Sequence, residues 1–451
     1  MKILTRSALA FICGLATLGA ASLPRPYIVE SYAVSLVAKP NASLTGDAFL
    51  TFRGRAESAV SALELDSAGL TIKAVLAGKE RQYFERKGKS LVIALTRPLQ
   101  PDARLTLEIQ YEAPPSDGLI ISSNQIAGVQ VSDWLPCNDR PGERARFHLT
   151  LTAPETWKTA ASGSLVNSHA VPGGMATEWN LDTAAPAAEF GFTAGAFSES
   201  VTDASGVKLR TLAGPAEAAE LAGAALRYLG ERTGKAYPGT TYTQAFIHAG
   251  ATYAKAGGLA LLPDSFSKNL SDDIGALQAV SFAIAQQWFG VGIATKDEGA
   301  NWLTFGLPAF LADTFLEQRL GKAVFEREIS RSRDLYTQLR ARGNDKPLAD
   351  ASESADGIAL ETHKAVCFLY VARQMVGDAA FWDGVRTFTS SKWGQTASSE
   401  DFQRAFAGVR GNRNRAGAGR SDKSNPMKAT AKNLNDLFDL WIYGVPLGNP
   451  K

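Results

Sequence analysis

The chain has 451 residues, of which 45% are hydrophobic and 20% charged, and its 47 Lys and Arg against 45 Asp and Glu leave a formal net charge of +2. That length exceeds one ordinary core and points to about two or three domains. The balance of charge gives no electrostatic reason to expect nucleic acid as a partner.

The first residues read as an export signal. Lys2 and Arg6 form a positive start, and Ala8 to Ala21 is apolar but shorter than the roughly 18 residues of a spanning helix. Ala20-Ala21-Ser22 suits cleavage. Residues 1–22 are therefore expected to be a signal peptide that sends the chain to the periplasm or outside the cell. An uncleaved membrane anchor is the alternative. Ile12 precedes Cys13 where a lipoprotein needs a small residue. Cys137 and Cys367 then remain, and two distant cysteines make no disulfide framework. Two buried free thiols fit better than a single bridge.

Residues 23–205 read as a β-domain. Strand patterns occur at Tyr27 to Leu36, Ala48 to Phe52 after a Gly-Asp turn signal, Leu91 to Leu95 and Leu105 to Ile109. Turn clusters such as Lys39-Pro40-Asn41, Ala77-Gly78-Lys79 and Arg97-Pro98 separate them, as in an antiparallel sandwich or a saddle-shaped sheet.

Helices dominate residues 206–451. Ala216 to Thr233 has helical periodicity, ended by Gly234 and Pro238. Tyr242 to His248 reads as a strand. Ser271 is placed to cap a helix running to about Phe289, with Asp272 and Asp273 favourable against its dipole. Further helices are expected near 306–320, 322–342, 360–376, 378–392, 399–409 and from Leu434 to Tyr443. Residues 411–432 carry Arg413, Arg415, Arg420, Lys423, Lys428 and Lys432 against Asp422, with almost nothing apolar. They read as a flexible basic loop, either a solvated insertion or a contact for an anionic surface or partner.

Several stretches, in order, resemble the aminopeptidase N family of zinc metallopeptidases. Trp134-Leu135-Pro136-Cys137-Asn138-Asp139-Arg140-Pro141, followed by Ala145-Arg146-Phe147, is similar to a stretch of the family's β-domain. Gly258 to Pro263 resembles the strand after its amine-binding loop. Gln287-Trp288-Phe289-Gly290 resembles the end of its zinc helix, and Trp302-Leu303 with Gly306-Leu307-Pro308 the segment around its third ligand. Arg373 to Asp378 with Phe381 resembles the helix after its catalytic tyrosine, and Trp441 to Gly444 the end of its peptidase domain. The resemblance implies a multidomain α+β protein. An N-terminal antiparallel β-sandwich or saddle domain would precede a thermolysin-like, mostly helical domain, without the C-terminal helical domain of the larger members.

The resemblance also implies a zinc site that these residues do not supply. The family carries H-E-x-x-H on a helix, so that two His share one face and the Glu acts as general base on a zinc-bound water. Aligned on Gln287 to Gly290, the two His positions hold Phe282 and Gln286, and the base position holds Ala283. The family's spacing puts its third ligand, a Glu, at Phe305. Phe cannot ligate zinc, Gln is a poor ligand and Ala accepts no proton. The amine-binding Glu aligns with Lys255, a cation that would repel an ammonium. The catalytic Tyr aligns with Thr362, too short for the same oxyanion. The four His (His148, His169, His248, His363) form no pair at ligand spacing.

Blander readings accompany each of these. Phe282 and Phe305 make either an apolar plug or an open groove for an apolar group. Lys255 is either an anion site or a solvated surface charge. His363 is a replacement base or a partly exposed helical residue, and the spacing of Asp297, Glu298 and His363 does not favour a metal. There is no G-x-S-x-G nucleophile elbow and no phosphate-binding or dinucleotide loop. The function expected is therefore non-catalytic: a pseudopeptidase with no cofactor, binding a protein partner or peptide-like ligand or serving an envelope complex. A zinc aminopeptidase with non-standard residues is the alternative.

Overall fold

The computed structural model describes residues 25–445, apart from 56, 141, 352–353 and 408–432. The expected signal peptide and the basic segment 411–432 lie outside the described residues.

Strands fill the first half: β1 (Tyr27–Val37), β2 (Leu44–Gly54), β3 (Val60–Asp66), β4 (Thr71–Ala77), β5 (Glu80–Arg81), β6 (Tyr83–Lys87), β7 (Ser90–Leu99) and β8 (Arg104–Ala113). After them come β9 (Leu119–Ile121), β10 (Gln125–Gly128), β11 (Ala145–Ala153), β12 (Lys158–Ala161), β13 (Ser164–Val171), β14 (Gly174–Ala185) and β15 (Phe192–Gly195). An eight-stranded sheet runs β13-β14-β11-β1-β2-β8-β4-β5, with only β1 and β11 parallel. A three-stranded sheet, β3-β7-β6, and a four-stranded one, β12-β15-β10-β9, accompany it. Alternating burial along β1 and β2 shows one face turned to the core.

Two expected turns are not turns. Gly46-Asp47 lies inside β2, opposite Tyr111 on β8. A Cβ on Gly46 would come within 2.2 Å of the Tyr111 ring, so this glycine makes room for an aromatic cross-strand neighbour. Arg97-Pro98 belongs to β7, in the irregular stretch between the Ala62↔Ala94 and Val60↔Leu99 pairs, where the proline breaks no ladder bond.

The second half opens on a five-stranded sheet: β16 (Glu199–Ala204), β17 (Val207–Leu212), β18 (Thr241–Ile247), β19 (Tyr253–Lys255) and β20 (Leu259–Pro263), in the order β16-β17-β18-β20-β19. This sheet straddles residue 205. β18 and β20 are buried nearly throughout because each face meets a different core. Ala245, Ile247, Leu259 and Leu261 join the core of the β-domain, whereas Tyr242, Phe246, Ala260 and Leu262 join that of the helices.

The helices are α1 (Glu217–Thr233), α2 (Ile274–Ala285), α3 (Trp302–Leu320), α4 (Lys322–Ala341), α5 (Ala355–Val376), α6 (Asp378–Lys392), α7 (Ser399–Phe406) and α8 (Leu434–Trp441). Gly234, at φ 69°, ends α1 as the sequence implied. No helix among the described residues is long and apolar enough to cross a membrane. Cys137 and Cys367 are buried free thiols in the two separate cores, so no bridge joins them.

Gly306 brings α3 against α5. A Cβ there would meet the Ala365 Cβ at 2.2 Å and the Glu361 carbonyl oxygen at 2.6 Å. Gly306→Ala is expected to push the two helices apart and cost about 1–3 kcal/mol in denaturant unfolding, although alanine has the higher helix propensity.

Candidate functional site

The candidate site lies where α2 runs beside α3, close to β19 and α5. Asp273 starts α2 by accepting hydrogen bonds from the Gly275 N–H at 2.8 Å and the Ala276 N–H at 3.2 Å. Asp273, rather than the expected Ser271, is the cap because the cap must immediately precede the first helical residue. The α-helix ends at Ala285, short of the expected Phe289. Residues 286–289 continue in turns to Gly290, whose φ of 133° stops them.

Every residue from Ala276 to Ala285 is buried, so α2 is a core helix on all sides. Phe282 is 1% exposed and Ala283 0%. Phe305, on the first turn of α3, is half-buried and packs against the hydrophobic cluster that contains Phe282.

Gln286 is held by a hydrogen bond to a carbonyl that Pro308 deprives of its helical donor. Pro308 lies inside α3 and has no N–H for the carbonyl four residues back, that of Thr304. The Gln286 Nε2 donates to that same Thr304 oxygen at 3.1 Å. Two turns further along α3, Gln278 Nε2 donates to the buried Asp313 Oδ1. Burial and the nearby Glu328 push the Asp313 acid well above its ordinary range, which favours its protonated form. Gln286 and Gln278 thus tie α2 to α3 on either side of Phe282.

Lys255 is buried, not a solvated surface charge. Its Nζ donates to the Ala188 carbonyl at 2.6 Å, and its own carbonyl accepts from Gln287 Nε2 at 3.1 Å. Burial lowers the Lys255 pKa, opposed by Glu189 and Asp139. Burial in turn raises the acids, Asp139 to about 7. The Lys255 side chain therefore reaches the β-domain at the joint between the two halves, where Glu189 and Asp139 act on its charge. Ala256 N–H donates to the Glu189 carbonyl at 2.8 Å in the same joint.

Thr362 sits on α5, where its hydroxyl donates back to the Ile358 carbonyl at 2.8 Å. His363, the next residue, has its Nδ1 3.3 Å from Ser332 Oγ on α4, and burial lowers its pKa to about 4. Asp297 and Glu298 lie at the short 3-10 turn before α3. Among the described residues no group of three or more His, Cys, Asp or Glu is arranged to hold a metal ion.

The structure thus brings Phe282, Ala283, Gln286 and Phe305 together between α2 and α3, with Lys255 at the neighbouring joint. The side chains that the sequence resemblance sets at ligand positions are two phenyl rings and one amide, and the amide N–H is engaged with Thr304. Reasoning from sequence missed Glu189 and the role of Asp139. Each is a single acid far from Lys255 in sequence, and no local pattern marks such a pairing.

Comparison with known proteins agrees with this architecture. The Peptidase M1 N-terminal domain family matches residues 29–184. A point mutant of an M1 zinc metallopeptidase from Deinococcus radiodurans superposes with a TM-score of 0.72 at 21% identity, over 94% of this chain and 96% of that one. The same enzyme in another crystal structure gives 0.68 at 22%, over 84% and 90%. Legionella pneumophila aminopeptidase A, in complex with aspartic acid, gives 0.73 at 17%, over 86% of this chain and 48% of that one. No curated protein matches the sequence.

Two outcomes follow from these contacts. Gln286→Leu is expected to cost about 1–3 kcal/mol in urea unfolding, because the Thr304 carbonyl loses its donor. In a Pro308→Ala background, which restores the backbone N–H, the same change should cost measurably less; equal costs in both backgrounds would refute the pairing. Lys255→Glu would place a third carboxylate near Glu189 and Asp139. It is expected to lower stability by about 3–5 kcal/mol, read from the thermal or denaturant midpoint.

Proposed function

We propose that this chain, which belongs to the aminopeptidase N (M1) peptidase family by its N-terminal domain and its fold, is a non-catalytic member that acts by binding rather than by hydrolysis. The observation that carries this reading is the engagement of Gln286 with Thr304 beside a buried Phe282 and Ala283. Zinc in a catalytic site takes nitrogen, sulfur or carboxylate ligands and leaves one position for water. The residues at the ligand positions do not fit that group.

Further support comes from the other family positions. A general base needs a basic atom within reach of the attacking water, and Ala283 has none. Lys255 donates its ammonium to the Ala188 carbonyl, with Glu189 and Asp139 near enough to favour its charge, in place of a carboxylate that would meet a substrate amine. The Thr362 hydroxyl is spent on its own helix. The protein is read as exported by residues 1–22 and as working in the periplasm or outside the cell. There it would hold a protein partner or a peptide-like ligand, or serve in an envelope complex.

Hydrolysis of aminoacyl-coumarin reporters tests this directly. The full mature chain, supplied with zinc, is expected to release no more fluorophore than buffer. Turnover that a chelator abolishes, that zinc restores and that Gln286→Leu alters would establish instead a zinc aminopeptidase with non-standard ligands.

A further inference from the structure

Away from Phe282, Gln286 and Phe305, a cleft of ≈ 310 Å³ opens between the two halves of the chain. Its β-domain wall is the end of β14 with Arg144. Its other walls are Tyr237, the Gly257-Gly258 turn, Val291 and Trp393. The volume is at the lower end of the range for small-molecule sites. At the Gly257 turn the two walls close on each other, since a Cβ there would lie 2.2 Å from the Gly163 backbone nitrogen. Two aromatic residues and Val291 supply apolar surface, and Lys235 stands with its Nζ 5.4 Å from the centre of the Trp393 ring.

Arg144 is the unusual member of this lining. Its Nε donates to the Ala184 carbonyl at 2.9 Å, and among the described residues that is the one hydrogen bond its guanidinium makes. The Nη1 is buried with no acceptor. Burial lowers its pKa, while Glu189 opposes that effect without forming a salt bridge to it. Glu189 is shared, since it also faces Lys255. Asp182 lines the cleft too, but its Oδ1 accepts from Asn180 Nδ2 at 2.7 Å. With Nε spent and Nη1 buried, Nη2 is the guanidinium donor left without a partner among the described residues, and a carboxylate is the acceptor that suits such a charged donor.

We propose that this cleft binds a small organic acid of amino-acid size, its carboxylate on Arg144 and its apolar body between Trp393 and Tyr237. The ligand would bridge the two halves through Arg144 on one side and Trp393 on the other. Phe282, Gln286 and Phe305 do not line this cleft, although Gln287 does.

Phenylacetate, with its neutral amide phenylacetamide as control, is the probe. Titrated into the full mature chain, phenylacetate is expected to bind saturably by calorimetry and to raise the thermal midpoint, whereas the amide does neither. Arg144→Leu should abolish the effect. Trp393→Ala, which leaves Arg144 in place, should weaken it by about tenfold or more and keeps the test decisive if the arginine variant does not fold. No saturable binding of phenylacetate up to about 10 mM, an equal response to the amide, or undiminished binding by folded Arg144→Leu or Trp393→Ala would overturn the assignment.

Discussion

Pro308 has no N–H to give to the carbonyl one turn back in α3, and an unpaired carbonyl between packed helices is costly. Gln286 supplies the missing donor from the neighbouring helix end. That single bond ties together features that look unrelated along the chain: a proline inside a helix, a glutamine at the end of the preceding helix, and the seating of α2 against α3. Once the amide is spent this way, the face of α2 beside it can be apolar, and Phe282 and Ala283 are. Buried apolar residues gain from close packing and have no polar atoms to satisfy. The helix pair thereby serves as core.

The joint between the two halves follows a related logic with charges. Lys255 is turned to the β-domain, onto the Ala188 carbonyl and near Glu189 and Asp139. An isolated buried cation would be prohibitive, and a buried cation among carboxylates is tolerable. β18 and β20 lie in the same joint, with one face in each core. The two halves therefore share both a sheet and a set of opposed charges. That arrangement leaves Arg144 as a cation whose donors are not all used among the described residues.

Much of this was legible in the sequence where the signal was local. The strands at 27–36 and 105–109 show period-two alternation, and the ends of α1 and α6 carry glycine or helix-forming patterns that resolve within a residue or two. The turn expected at Gly46-Asp47 failed because the residue that requires a glycine there, Tyr111, is far along the chain. The early start of α3 was obscured by Pro308, which reads as a boundary unless another residue relieves the orphaned carbonyl. Phe282, Ala283, Gln286 and Phe305 were singled out by the spacing of the family resemblance, and the structure adds their burial and contacts. What holds Gln286, the burial of Lys255 and the unspent donors of Arg144 are contacts between distant segments and have no local signature.

The central claim is that residues 282, 286 and 305 have exchanged ligation for packing. Equilibrium dialysis of the full mature chain against zinc, followed by elemental analysis, reads this most directly. The account predicts no chelator-removable zinc bound in proportion to protein, and a result unchanged in Gln286→Leu. About one zinc per chain, removed by chelator and lost in Gln286→Leu, would contradict it.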